Sequence, residues 1–249
     1  MARSKTTPAN KRAKPARQRG AALLLLLMLA GIGAATLLVS ALGRNGLEAR
    51  RQQLTVRRLG QANDALLGYA SAYGRLPRPA VSATDGNERE QPCDSEDSCT
   101  GLLPWVTLGI DGNDAWGKRL RYSVVPEYTR SPLRRLSAIA TKTVQTRASD
   151  GLLYYLVGQD PCTLAAPCAP AVVLSHGKNN FGVSAQGVPQ PNTGSANVDE
   201  LINAVGTVHF VSRAATDDVH APGGAFDDQV AVLSLSQLYK LMNTAHKLP

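Results

Sequence analysis

Residues Ala21 to Leu42 read AALLLLLMLAGIGAATLLVSAL and carry no charge. The run is 22 residues long, and crossing a hydrocarbon core takes about 20 at a rise of 1.5 Å each. A buried helix of a globular core would show a polar stripe, and this run has none. Before it stand Arg3, Lys5, Lys11, Arg12, Lys14, Arg17 and Arg19, with no acid; after it come Arg44, Glu48, Arg50 and Arg51. That asymmetry predicts a transmembrane helix over 21–42, with the N-terminus in the cytoplasm and the bulk of the chain on the far side. No proline interrupts the chain from Ala21 to Tyr73. Leu47, Leu54, Leu59, Ala62, Leu66, Tyr69 and Tyr73 form an apolar stripe, and Arg50, Arg51, Arg57, Arg58, Gln61 and Asp64 a polar side. The spacing predicts an amphipathic continuation of the helix over 43–73. The alternative is two helices broken at Gly43–Gly46.

Charge bears on function class. The chain of 249 residues has a net charge of +8. Seven positive residues fall within 1–20, and the remainder carries 20 basic against 19 acidic residues. The basicity belongs to a tail and not to a binding face, so nucleic acid is not an expected partner.

Residues 74–249 suit one globular core. Leu76-Pro77-Arg78-Pro79 stops the helix, and the stretch over 82–101 has loop composition. Strands are predicted over Leu120–Val125, Ser137–Val144, Leu152–Val157, Ala171–Ser175, Thr207–Ser212 and Gln229–Ser234. Asn197–Val205 and Ser236–Lys247 read as helices, the second with an apolar face of Leu238, Leu241, Met242 and Ala245 and Ser236 as its cap. One long helix, spaced strands and a short helix give an α+β fold with an antiparallel sheet.

The N-terminal region allows three readings. It is a plain signal anchor, or a secretory signal cut after Val39-Ser40-Ala41, or a leader of a particular family. Arg17-Gln18-Arg19-Gly20 directly before the apolar run resembles the class III leader of type IV prepilins and type II secretion pseudopilins. That resemblance implies cleavage between Gly20 and Ala21, over a basic leader at 1–20, followed by methylation of the new terminus. The family's usual glutamate at the fifth mature position is Leu25 here, which points to a minor or tip subunit. Further on, Tyr73-Gly74-Arg75-Leu76-Pro77, Gly101-Leu102-Leu103-Pro104-Trp105 and Asp114-Ala115-Trp116-Gly117 resemble the same family. Val172 to Asn180 is similar to its late Ser-x-Gly-x-Asp-Gly loop, and Phe226-Asp227-Asp228-Gln229-Val230 to the acidic pair before its last strand. The implied fold is pilin-like: a long N-terminal transmembrane and amphipathic helix packed on an antiparallel β-sheet head. The implied location is the bacterial inner membrane, single-pass, with a periplasmic head that enters a periplasmic pseudopilus. The implied partners are other pilin or pseudopilin subunits, the prepilin peptidase, an inner-membrane assembly platform and membrane lipid. The competing function is an uncleaved bitopic inner-membrane protein with a periplasmic binding or sensing domain.

Candidate sites are few. Four cysteines are an even set for an oxidising compartment. Of three possible pairings, the two short loops Cys93–Cys99 and Cys162–Cys168 are preferred, and disulfides are favoured over a metal site because no histidine flanks either pair. Asp111, Asn113 and Asp114 present oxygens, as do Asp227 and Asp228. No cofactor or metal is expected there; the family resemblance makes Ca²⁺ the alternative, but calcium wants six to eight ligands and turn chemistry explains the same residues. Ser175 and His176 are adjacent, but there is no Gly-x-Ser-x-Gly, phosphate loop, dinucleotide motif or zinc-helix motif, so an enzyme is not expected. Trp105 and Trp116 are read as core or edge anchors, with core favoured over a recognition surface for another subunit.

Overall fold

The computed structural model describes the backbone of residues 19–248, and side chains over 23–34 and 46–248. It divides into two units between Glu48 and Ala49. Helix α1 runs Arg19–Tyr73 and crosses that boundary.

In the first unit, the described side chains from Leu23 to Ala34 are all exposed. The transmembrane helix expected at 21–42 is corrected here. Among the described residues, no helix is long and apolar enough to cross a membrane. The single-pass inner-membrane assignment fails with it, and so does the pilin-like fold as stated, a long transmembrane helix packed on one antiparallel sheet. Of the basic leader expected over 1–20, residues 1–18 lie outside the described residues, as do the side chains of Gly20 and Ala21.

The second unit begins with the remainder of α1. Leu59, Ala62, Leu66 and Ala70 recur at helical spacing and are nearly inaccessible, so one stripe faces a core while Arg50, Arg51 and Arg57 stay outside. Gly74 ends the helix in a left-handed conformation, φ 71°, and its N–H reaches the Ala70 carbonyl at 2.9 Å.

The head is α+β, with two sheets where one was expected. β1 (Thr100–Leu102), β2 (Arg121–Val124), β5 (Ala171–Ser175) and β7 (Gln229–Val232) form a four-stranded antiparallel sheet in the order β1-β2-β5-β7. β3 (Thr143–Arg147), β4 (Leu153–Val157) and β6 (His209–Val211) form the second, in the order β4-β3-β6. In it β3 and β6 run parallel. Helices α2 (Trp105–Leu108), α3 (Val198–Val205) and α4 (Leu235–Thr244) complete the chain.

Period-two alternation on β5 builds both cores. Ala171 and Val173 join Tyr122, Val124, the α1 stripe, Leu238 and Met242 in one cluster. Val172 and Leu174 join Val144 and Phe210 in the other, with Val157, Val230 and Val232 packed against it. Helices and the second sheet therefore cover opposite faces of the first, and a strand buried on both faces is apolar throughout.

Two local expectations also change. The strand read over Ser137–Val144 lies at Thr143–Arg147; only its last two residues overlap, because the alternation at 137–141 belongs to the end of a turn and an irregular segment. The cap of α4 is Ser234, whose hydroxyl accepts from the Gln237 N–H, and not Ser236.

Candidate functional site

The polar residues of the head converge where three loops meet: the turn before β2, the loop after β5 and the segment before β7. The Asp-x-Trp-Gly turn organises the first. Gly117 takes φ 83°, which favours a residue without Cβ. Asp114 accepts from the backbone N–H groups of Trp116 and Lys118, each at 2.9 Å. Its second oxygen accepts from the Ser175 hydroxyl at 2.7 Å. Asp114 is buried, and α1 holds the turn from outside: Arg58 donates to the carbonyls of Asn113 and Asp114 at 3.1 and 2.8 Å, and Thr55 Oγ1 accepts from the Ala115 N–H at 3.1 Å.

Lys118 leaves this turn and runs inward. It is 3% exposed, and its ammonium donates to the carbonyls of His176 (3.2 Å), Asn180 (3.0 Å) and Asn179. Burial pushes its pKa down, opposed by the charges of Asp227, Asp114, Asp228 and Glu200.

The acidic pair lies beside it. Asp227 Oδ2 accepts from the N–H groups of Lys178 and Asn179 at 3.0 and 2.8 Å. Burial, with the neighbouring charges of Glu200 and Asp228, raises its pKa to about 7 against the pull of the Asn179 N–H and Lys118. Asp228 Oδ2 accepts from Asn203 at 2.8 Å, and its Oδ1 lies 3.4 Å from His176 Nδ1. Glu200, in the first turn of α3, accepts from Asn180, Asn197 and the Asp227 N–H at 2.9, 2.7 and 3.1 Å. Oxygens of Glu200, Asp227 and Asp228 all lie within 4.8 Å of one another.

The five oxygen-bearing candidates do not form one ligand set. Asp111 pairs with Arg58 at 2.8 Å and accepts from the N–H of Asn113 at 3.0 Å, an Asx turn. Asp114 is spent on its own turn and Ser175. Only Asp227 and Asp228 stand together, joined by Glu200, which carried no signal in the sequence. Calcium does not fit this donor set. Both Glu200 oxygens already accept N–H groups, the Asn180 amide turns its donors to Glu200, and the loop carbonyls face Lys118. Two carboxylate oxygens lack a hydrogen-bond partner, Asp227 Oδ1 and Asp228 Oδ1, against the six to eight calcium takes.

Other residues fall as follows. Cys93–Cys99 and Cys162–Cys168 are paired as disulfides, with Cα separations of 5.1 and 5.7 Å. The Ser175 hydroxyl serves Asp114, and His176 faces Asp228. Neither tryptophan is a core residue: both are half-buried, and Trp105 lies under the Arg119 guanidinium, 3.7 Å from its ring centre. Two further buried charge groups gave no sequence signal. Asp199 is held by Arg147 and Arg213 at 2.6 and 2.8 Å, and Lys142 is paired with Glu96.

Comparison with protein-family models, curated proteins and solved structures finds no match.

Proposed function

We propose that the chain is an assembly subunit of a pseudopilus- or pilus-type fibre, matured by cleavage between Gly20 and Ala21 and packed through α1 against the helices of neighbouring subunits. One observation carries this reading. Leu23 to Leu29 and Ile32 stand 61 to 68% exposed on the described part of the first unit. A helix that is apolar all round is covered in its working state, and so large an apolar surface marks an interaction site. A neighbouring apolar helix supplies that cover without asking the segment to cross a bilayer. Gly31, with no side chain, suits close approach of a neighbouring helix.

The leader motif Arg17-Gln18-Arg19-Gly20 supports the processing step. Leu25 in place of the family's glutamate supports a minor role, because the subunit offers no carboxylate to a neighbour's ammonium. The head, with two disulfides and two cores, serves as the rigid part that the fibre carries.

Mass spectrometry of the chain isolated from its native host tests the processing step. The expected N-terminus is Ala21, with or without an added methyl group, and Gly20→Ala accumulates the precursor. An intact Met1 terminus in the presence of the native peptidase, or normal maturation of Gly20→Ala, would refute it.

A further inference from the structure

A cavity of about 190 Å³ lies where β1, β2, the segment after β5 and α3 meet. Arg119, Arg121, His176 and Gln190 supply its polar wall, and no carboxylate lines it. The strand pattern puts Arg121 there. Tyr122 and Val124 on β2 belong to the first core, so period-two alternation sends Arg121 to the opposite face. A guanidinium has five N–H donors. Arg121 donates to the Gly206 carbonyl at 3.0 Å, and its buried Nε has no partner. Arg119 donates to the carbonyls of Ala83 and Ala185 at 2.8 and 3.3 Å. Among the described residues neither guanidinium has an ion pair, whereas Lys142, Arg147 and Arg213 each have a carboxylate. Burial pushes the pKa of both Arg119 and Arg121 down. Partly buried cations of this kind call for a compensating anion.

The backbone of the same wall is strained. Phe181 lines the cavity at φ 55°, and among the described residues only His246 shares a positive φ without being glycine. A bulky side chain in that region is an outlier, and such strain collects where a ligand is held. The Phe181 ring stands 6.2 Å from the His176 ring. With Leu102 and Val183 it gives the cavity an apolar side.

We propose that this cavity binds a small carboxylate, a monoanion on a short aliphatic chain, with its charge against Arg119 and Arg121 and its carbons against Leu102, Phe181 and Val183. The planar guanidinium matches a carboxylate. The apolar side selects an anion that has a hydrocarbon end, which inorganic phosphate lacks. This inference is independent of the fibre role, since it concerns the head alone.

Calorimetric titration of the full chain in detergent, at neutral pH and low salt, tests it with butyrate, the neutral butyramide and inorganic phosphate. Butyrate is expected to bind one site with a Kd on the order of 1 mM or tighter. Butyramide and phosphate should bind at least about tenfold more weakly, and Arg121→Gln should weaken butyrate by about tenfold or more. Ala204→Leu fills the cavity from half-exposed α3 and keeps both guanidinium groups. It should abolish butyrate binding, and it decides the matter if thermal unfolding shows that Arg121→Gln does not fold. No saturable butyrate heat, binding of butyramide or phosphate as tight as butyrate, or wild-type butyrate affinity in folded Ala204→Leu would overturn the proposal.

Discussion

Asp227 is the side chain whose protonation reports most directly on the loop cluster. Its pKa is raised to about 7 by burial and by Glu200 and Asp228, whereas in the unfolded chain a carboxyl titrates near 4. The folded state therefore binds more protons than the unfolded state between these limits, and stability falls as pH rises from about 4 to 7. Asp227→Asn keeps an acceptor for the Lys178 and Asn179 N–H groups and removes the titration. Its Tm advantage over wild type should be small at pH 4 and largest at pH 8, as thermal melts across that range would show; an advantage independent of pH would contradict the assignment. Glu88 behaves in the opposite sense. Burial alone would raise its pKa, but hydrogen bonds from Arg75, Tyr69 and the Arg78 N–H outweigh it and hold the carboxyl at about 2. Its contribution is complete above the ordinary glutamate range and is lost as pH falls toward 2. These residues were hidden in the sequence for a simple reason. Lys118 and Glu200 sit in unremarkable local contexts, and only the meeting of three distant loops gives them partners. Asp227 and Asp228 were visible as an adjacent acidic pair, yet their environment was not.

At the scale of elements, legibility followed burial. β5 is a continuous apolar run, and α3 and α4 carry helical spacing, so β5 and α3 fall within one residue of the expected bounds and α4 ends three residues earlier than expected. β3 is half polar, and the alternation of the segment before it was read as the strand. The parallel β3–β6 pair joins Val144 to Phe210, and nothing local encodes a partner so far along the chain. The second sheet, and with it the second core, was therefore invisible. The cores make a quantitative prediction. Leu66 on α1 and Phe210 on β6 are inaccessible and belong to different clusters. Leu66→Ala should cost about 2–5 kcal/mol and Phe210→Ala about 3–5 kcal/mol. With no shared neighbours, the two losses should add to within about 0.5 kcal/mol in the double variant. Chemical denaturation measures this directly; strong coupling between them would mean that the two clusters are one.

For the whole molecule, the central matter is what covers the apolar surface of α1. Hydrophobic patterning marks that surface as one expected to be covered, because it presents leucine on every side. Composition could not say whether lipid or protein buries it, and the expected membrane span did not survive the structure. Site-specific photo-crosslinking from position 25 or position 29, in the native host with the full chain, distinguishes the possibilities most directly. The account predicts covalent adducts with the N-terminal helix of a neighbouring subunit, and none from a control probe at Leu136 on the exposed head. Adducts with lipid alone, or no protein adduct from either helix position, would contradict it.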